Sequence, residues 1–215
     1  MSSIQNQIIQ IIYNENITKY QKLSDILKII LDYCDIDNNK YMIIASYCIR
    51  NYREINDLDM NMISDEWDKL NKLVNHGFGG IQSYNGQMRY FLDMTDEYKK
   101  IVSNANDFSI EIFKKELNEG FPNETFSIEY LLNHDGLNRD DNNHLYFNKE
   151  TLLRWKKTMM REKDKVDIIL LEELLRKQRK IIRKQKKRNT KRCPNGKRRN
   201  KKTKKCVKKK HYKHK

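Results

Sequence analysis

The sequence predicts a mainly α-helical protein with one small β-hairpin, a minor α+β fold, in which a long C-terminal helix runs into a disordered basic tail. Apolar residues recur every three or four positions along most of the first 175 residues, as on the buried face of a helix. Gly and Pro number only 7 and 2 among 215 residues, which favours long helices over a fold with many turns.

The third observation is the division of charge. Residues 176–215 hold 23 of the 44 Lys and Arg residues and no acidic residue, which leaves 21 basic against 29 acidic residues in the rest of the chain. Such an asymmetry is typical of a basic arm attached to an independent domain. We therefore predict a helix-rich globular body (1–160), an amphipathic to basic helix (161–188) and a basic disordered tail (189–215).

Apolar stripes predict the helices of the first third of the chain. Thr18 is a suitable N-cap for the second helix, because its side chain can accept a hydrogen bond from the first turn. Residues 35–39 have turn composition, and a third helix is predicted over residues 40–52. Ser64 begins a fourth helix, which the glycines from Gly77 onward end. The first two apolar stripes consist of Ile4, Ile8, Ile9, Ile11 and Ile12, and of Leu23, Ile26, Leu27, Ile30 and Leu31.

The periodicity changes after these glycines. Asn85-Gly86 lies between the β-prone runs 81–84 and 87–91. Both residues tolerate positive φ, which a two-residue hairpin turn requires, so this segment is the predicted β-hairpin.

The second half is again predicted to be mainly helical. Helices are expected over residues 95–104, 109–118 and 125–133, and a short strand over 145–147. The helical pattern then returns at Lys149 and reaches about Arg188, with a break near residues 163–165.

The body contains no sequence pattern that predicts an enzyme. The glycines at His76–Gly80 follow a helix instead of preceding one. The nearest helix end therefore presents carbonyl groups, whereas a phosphate-binding loop needs the amide groups of a helix N-terminus. The segment from His134 to His144 has metal-ligand residue types but fits neither a calcium loop nor a helical His pair, and we interpret it as a solvated loop. We therefore expect no catalytic residues, no cofactor and no bound metal.

The basic tail predicts binding to a polyanion. Its charge density is costly unless anions screen it, and neutralising phosphates releases counterions without reading a base sequence. Tyr212 is its only aromatic residue, so base stacking contributes little, and DNA and RNA are not distinguished. The predicted nucleic-acid-binding residues are Arg176, Lys177, Arg179, Lys180, Arg183, Lys184, Lys186, Lys187, Arg188, Lys191, Arg192, Lys197, Arg198, Arg199, Lys201, Lys202, Lys204, Lys205, Lys208, Lys209 and Lys210.

The tail is also compatible with roles that involve no nucleic acid. It could serve only targeting or solubility, since residues 186–199 also resemble a bipartite nuclear localisation signal. The polyanion that the tail binds could also be an acidic protein or an anionic membrane surface. No apolar stretch of membrane-spanning length occurs, so we expect no transmembrane helix, and a membrane is not among the expected partners.

Residues 191–206 carry a family resemblance. The block reads Lys-Arg-Cys-Pro-Asn-Gly-Lys-Arg-Arg-Asn-Lys-Lys-Thr-Lys-Lys-Cys. It resembles a short basic element, Arg-Cys-Pro-x-Gly-x-Arg-x-Asn-x-x-Thr-x-x-Cys, found near the C-termini of proteins of giant double-stranded DNA viruses. It departs from that element at Lys204, where Gly is usual, and in having Lys soon after Cys206. The resemblance implies a viral protein of the virion or virus factory; it implies no activity.

The four cysteines fall into two pairs. Cys34 and Cys48 lie within apolar patterns and are predicted to be buried thiols. Cys193 and Cys206 could close a disulfide hairpin, stay free, or bind zinc with the histidines of the tail. The zinc alternative lacks the close pair of cysteines found in ordinary zinc fingers.

The leading functional hypothesis is a non-enzymatic viral protein that binds nucleic acid non-specifically through residues 176–215. The alternative is a structural or interaction protein of the virion, whose tail serves assembly or nuclear targeting. The expected location is the virion or a cytoplasmic virus factory, with the host nucleus as the alternative. Virion proteins are the additional expected partners.

Overall fold

A computed structural model describes residues 3–55, 57–84, 86–103, 107–115, 126–189, 197–200, 202–203 and 205–208. The chain divides into two compact units, Met1–Leu171 and Glu172–Lys215. The boundaries predicted at residues 160 and 188 stay predictions.

Helices and strands alternate along the first unit, and the last helix continues into the second. The helices are α1 (Ser3–Tyr13), α2 (Lys19–Cys34), α3 (Ser64–Trp67), α4 (Asn71–Asn75), α5 (Thr95–Lys99), α6 (Ile128–Asn133), α7 (Lys149–Met159) and α8 (Lys165–Asn189). The strands are β1 (Tyr41–Ile43), β2 (Asp57–Ile63), β3 (Gly80–Tyr84), β4 (Gln87–Asp93), β5 (Ser109–Lys115), β6 (Leu137–Arg139), β7 (Leu145–Phe147), β8 (Lys197–Arg199) and β9 (Cys206–Lys208). Short 3₁₀ helices lie at Ala45–Ile49, Asp68–Leu70 and Glu162–Asp164.

The first unit is built on a seven-stranded mixed sheet. Its strand order is β3-β4-β5-β2-β1-β7-β6. The pairs β2–β5 and β1–β7 are parallel, and the other neighbouring pairs are antiparallel. The prediction of a mainly α, all-α protein is therefore wrong, and the fold is α/β.

Two predicted helices are strands of this sheet. Residues 41–43 of the predicted third helix form β1, whose three side chains are all buried. A short continuous apolar run has no period that separates a fully buried strand from a helix. Residues 109–115 form β5, where Ile110 and Ile112 alternate with more polar residues at the period of a strand. The rest of that predicted helix, residues 116–118, lies outside the described residues.

Several local predictions are confirmed. Thr18 caps α2 by accepting a hydrogen bond from the Gln21 amide. The predicted hairpin is present as β3 and β4, although Asn85 of its turn lies outside the described residues. Helix α8 begins after a 3₁₀ turn, at the predicted break, and ends at Asn189. The prediction that the polar segment 134–144 is a simple loop is wrong, because the segment contains β6.

The core of the first unit lies against one face of the sheet. Met60 of β2 and Ile112 of β5 are fully buried and pair across the two strands. They belong to one cluster with Ile8 of α1 and with Leu27 and Ile30 of α2. Because side chains alternate along a strand, the other face of β2 carries Asp57, Asp59 and Asn61.

The second unit contains the end of α8 and a two-stranded hairpin. β8 and β9 pair antiparallel, with Arg199 opposite Cys206. The Asn200 side chain closes the turn by accepting hydrogen bonds from the amides of Lys202 and Thr203.

Candidate functional site

The basic residues of α8 are exposed. Every residue from Arg176 to residue 185 is exposed, including six Lys and Arg residues up to Lys184. Lys177 forms an ion pair with Glu173 at 2.7 Å, one helical turn away. In the described ranges no other ion pair involves these six side chains. This segment therefore presents a largely uncompensated positive surface.

The remaining predicted binding residues are described only in part. The side chains of Lys197, Lys202, Lys205 and Lys208 are exposed around the hairpin. Lys186, Lys187, Arg188, Arg198 and Arg199 are placed by their backbone alone, and Lys191, Arg192, Lys201, Lys204, Lys209 and Lys210 lie outside the described residues.

The cysteines of the tail are also only partly described. Cys206 is disulfide-bonded. Its predicted partner, Cys193, lies outside the described residues, so this pairing stays a prediction. In the body, Cys34 is a buried free thiol and Cys48 a half-buried one. Burial raises the pKa of Cys34 to about 11 and that of Cys48 to about 12, so both are protonated at neutral pH.

A polar cleft of about 230 Å³ lies in the first unit beside β2. Its walls come from three places: β2 itself, the segment between β1 and β2, and the connection from α7 into α8. The residues that line it are Ile44, Ser46, Tyr47, Arg53, Glu54, Ile55, Asp57, Leu58, Asp59, Trp155, Lys156, Arg161, Lys163, Asp164 and Asp167. The sequence did not predict this cleft.

One wall of the cleft is a buried ionic network. The Lys156 ammonium lies 2.6 Å from Asp164 Oδ1 and 2.9 Å from Asp167 Oδ2, and all three side chains are almost fully buried. Arg53 Nε approaches Asp167 Oδ1 at 3.0 Å, and Arg161 Nε approaches Asp164 Oδ2 at 2.6 Å. Removing one partner from such a network would leave a buried charge uncompensated, at a cost of about 3–5 kcal/mol.

The network has a definite protonation state at Asp164. Burial alone would raise the pKa of this carboxyl group. Hydrogen bonds from Arg161 and Lys156, together with their charges, outweigh burial and lower its pKa. Asp164 therefore stays ionised at neutral pH and holds Arg161 in place.

The part of the cleft lining that β2 supplies carries two carboxylates. Asp57 and Asp59 are two residues apart on one strand, so both point to the face away from the core. Glu111 of β5 is the cross-strand neighbour of Asp59, and its carboxylate is engaged by Arg89 at 2.8 Å. Desolvation, reinforced by the charges of Asp57 and Glu111, raises the pKa of Asp59 to about 7. Asp59 is itself half-buried, and its carboxyl group loses its proton less readily than an ordinary aspartate.

The sequence carries a signal for this strand, although residues 53–63, between the third and fourth predicted helices, have no predicted element. Asp57, Asp59 and Asn61 alternate with Leu58, Met60 and Met62 over six residues, which is the period of a half-buried strand. That alternation places the polar residues on one face. What no local pattern could indicate is the apposition with the α7–α8 connection, about a hundred residues later in the chain.

A second polar cluster lies between α2 and the turn before β7. His144 is 1% exposed and contacts the Tyr41 hydroxyl at 2.7 Å and the Ser24 carbonyl oxygen at 3.0 Å. Asp140 accepts hydrogen bonds from the hydroxyls of Ser24 and Tyr47. Because these polar groups are hydrogen-bonded to each other, we interpret the cluster as structural: it connects α2 and the segment around β1 to the turn before β7. The sequence interpretation of these residues as a solvated surface loop is wrong at His144.

The described residues also bound the functional classes. No described helix is long and apolar enough to span a membrane. The described ranges contain no group of three His, Cys, Asp or Glu side chains placed to hold a metal ion by themselves. No family model matches the chain, and no curated protein or solved structure matches it.

Proposed function

We propose that the protein binds nucleic acid non-specifically through the basic segment that begins at Arg176. The observation that carries the proposal is the exposure of six Lys and Arg residues between Arg176 and Lys184 on one helix, with an ion pair only at Lys177 among the described residues. Phosphates of a nucleic-acid backbone are an abundant ligand that compensates such a surface, and contacts with them release counterions.

Helical geometry supports contact with several phosphates at once. Arg176, Lys180 and Arg183 are separated by four and three residues, so they follow one side of α8. The helix rises about 1.5 Å per residue, so the stretch from Arg176 to Arg188 extends over roughly 18 Å. A basic stripe of this length can follow a phosphate backbone, and the exposed lysines of the hairpin extend the charged surface along the sequence.

The direct test compares two triple variants of the full chain that lose the same charge. One replaces Arg179, Lys180 and Arg183 with Gln, and the other replaces the exposed Lys28, Lys99 and Lys165 of the first unit with Gln. Binding to a labelled duplex is measured by fluorescence anisotropy over a NaCl series. We expect the α8 variant to bind more weakly and its slope of log K against log salt to be shallower by about 2–3, since each lost phosphate contact removes roughly 0.9.

The control variant should keep the slope of the wild type, because its lysines lie outside the basic segment. Equal slopes for the two variants would contradict the proposal. If the wild type shows no retention on nucleic acid at physiological salt, the tail instead serves assembly or nuclear targeting. The same titration with single-stranded RNA determines whether the protein distinguishes DNA from RNA.

A further inference from the structure

A guanidinium of the first unit is surrounded by tyrosine rings instead of carboxylates. Arg50 follows the 3₁₀ helix Ala45–Ile49. Its Cζ lies 4.4 Å from the centroid of the Tyr47 ring, 4.8 Å from that of Tyr146 and 5.5 Å from that of Tyr20. In the residues that the structure describes, Arg50 forms no ion pair. The rings attract the cation through their electron-rich faces, so they hold this charge in place without neutralising it.

The guanidinium of Arg50 has hydrogen-bonding capacity that the fold does not use. Nη1 donates to the Tyr47 carbonyl oxygen at 3.1 Å. Nε is buried and has no acceptor, and Nη2 has no acceptor either in the described part of the chain. Because Nη2 is not buried, an acceptor from outside the molecule can reach it. An arginine in this state is suited to bind phosphate, whose oxygens match the planar array of its donors.

A second cation and an exposed ring lie next to Arg50. Lys149 Nζ lies 5.4 Å from the centroid of the Tyr52 ring, and the Tyr52 side chain is 50% exposed. Lys149 likewise forms no ion pair with any side chain that the structure describes. The charges of Lys149 and Arg50 both act on Cys48, so the two cations lie near the same point of the fold. The 3₁₀ helix that carries Cys48 packs against both β7 and α7, which brings them together.

The carboxylates beside this region are engaged elsewhere. Asp140 accepts hydrogen bonds from the hydroxyls of Ser24 and Tyr47. Asp167 pairs with Lys156 and belongs to the ionic network of the cleft. The first 175 residues hold 29 acidic against 21 basic residues, so the body is acidic as a whole. Positive charge without an ion pair on such a body indicates an anionic ligand.

We propose that Arg50, Tyr52 and Lys149 form an aromatic–cationic surface that binds single-stranded nucleic acid. Phosphates contact Arg50 and Lys149, and an unpaired base stacks on the exposed ring of Tyr52. Every base has a face that can stack on an aromatic ring, whereas the bases of a duplex are already stacked on each other. The inference rests on the proposed function: α8 supplies charge for any nucleic acid, and this surface adds a preference for unpaired strands.

The test compares a labelled oligothymidylate with a labelled duplex of the same length, each titrated with the full chain and followed by fluorescence anisotropy. We expect Tyr52→Ala and Lys149→Gln each to weaken binding of the single strand by about tenfold and to leave binding of the duplex unchanged. The controls are Tyr13→Ala and Lys28→Gln, which remove an exposed ring of α1 and an exposed charge of α2 and should change neither affinity. Arg50 is left intact because its ring contacts also support the fold. Circular dichroism checks that each variant is folded.

The outcomes separate this inference from the proposed function of α8. The triple variant at Arg179, Lys180 and Arg183 should lose affinity for both ligands, while the variants at Tyr52 and Lys149 should lose it for the single strand alone. If the latter two bind the single strand as tightly as the wild type, or lose both affinities equally, the aromatic–cationic surface does not bind unpaired bases and α8 is unaffected. A wild type that binds neither ligand overturns both proposals.

Discussion

His144 shows how a single residue gains a fixed protonation state from its surroundings. The Ser24 carbonyl oxygen can only accept a hydrogen bond, so His144 Nε2 carries the proton. Nδ1 lies 2.7 Å from the Tyr41 hydroxyl, which itself donates to Asn38 Oδ1 at 3.0 Å. A second proton on the ring would place a positive charge in a site almost closed to water, which is unfavourable.

We predict that His144 makes the protein less stable in mild acid. Burial lowers the pKa of His144, and this effect outweighs the opposing charge of Asp140. Because the pKa in the folded state lies below the usual 6.5, the unfolded chain takes up the proton first, and stability falls as pH drops below about 6.5. Urea unfolding measures the free energy of unfolding at pH 7.5 and at pH 5. Between these pH values the wild type should lose more of this free energy than His144→Gln does.

The matched control for this prediction is His76→Gln. His76 is exposed, so we expect the His76→Gln variant to lose as much stability between the two pH values as the wild type does. At pH 7.5, His144→Gln should itself be destabilised by about 1–3 kcal/mol, because buried hydrogen bonds are lost. A wild type and His144→Gln with the same pH dependence would rule out this role for the imidazole.

At the scale of elements, the end of α4 illustrates how backbone conformation selects the sequence. The Gly77 amide donates to the Val74 carbonyl and the Phe78 amide donates to the Leu73 carbonyl, which is the Schellman pattern of a helix C-terminus. Gly77 has φ of +70°, where an L side chain is strained. The chain then turns directly into β3.

Three glycine-to-alanine variants separate strain from steric conflict in this turn. Gly77→Ala meets no atom within 4 Å, so only its positive φ should cost stability, by about 1 kcal/mol. Gly79→Ala has φ of +74° and would also place its methyl group 2.5 Å from the Tyr90 hydroxyl oxygen, so it should cost more. Gly80→Ala meets neither problem and should be within about 0.5 kcal/mol of the wild type.

Chemical unfolding of the three variants measures how much each one differs from the wild type in the free energy of unfolding. The expected order of stability, from highest to lowest, is Gly80→Ala, then Gly77→Ala, then Gly79→Ala. If Gly80→Ala costs as much as Gly77→Ala, backbone strain is not what requires glycine in this turn. Unchanged m-values would show that the variants unfold in the same way as the wild type.

The elements differ in how well the sequence predicts them, and the reason is physical. The hairpin and the ends of α2 and α4 depend on local chemistry: a positive φ at Gly86, a capping hydroxyl at Thr18 and the glycines after α4. Strands β1 and β5 depend on distant partners, because β1 lies between β2 and β7 and β5 between β4 and β2. Local propensity cannot identify a strand whose hydrogen bonds are made with residues far along the chain.

The candidate sites follow the same division. The basic segment is a property of composition, so its residues could be named from the sequence alone. The cleft is a property of tertiary structure, since Asp59 and Lys163 line the same cavity only after the sheet and the α7–α8 connection have formed. The alternation in β2 indicated which residues share a face, but nothing in the sequence indicated what faces them.

At the scale of the whole molecule, the two units have different covalent chemistry. Cys34 and Cys48 are free thiols of the first unit, while Cys206 of the second unit is disulfide-bonded. Burial raises the pKa of both free thiols, so very little thiolate exists at pH 8. The first unit therefore holds two thiols of low reactivity, while the second unit holds a cysteine that is already oxidised to a disulfide.

Thiol titration tests this division on the oxidised full chain. We predict that a disulfide reagent at pH 8 reacts slowly with the native protein and rapidly with two thiols, those of Cys34 and Cys48, once guanidinium has unfolded it. A Cys34→Ser, Cys48→Ser double variant is the control and should show no rapid reaction in either state. Fast reaction of the native wild type would contradict the burial of these thiols.

The parallel pairing of Ile43 with Tyr146 has a consequence during synthesis on the ribosome. Strand β1 is translated early, but the strand that covers its free edge appears only much later, when β7 has left the exit tunnel. Until then one edge of the apolar strand β1 has unpaired amide and carbonyl groups. Such an open edge is a template for pairing with other chains. Chains released before Phe147 should therefore aggregate, and folding of this domain waits for the arrival of β7.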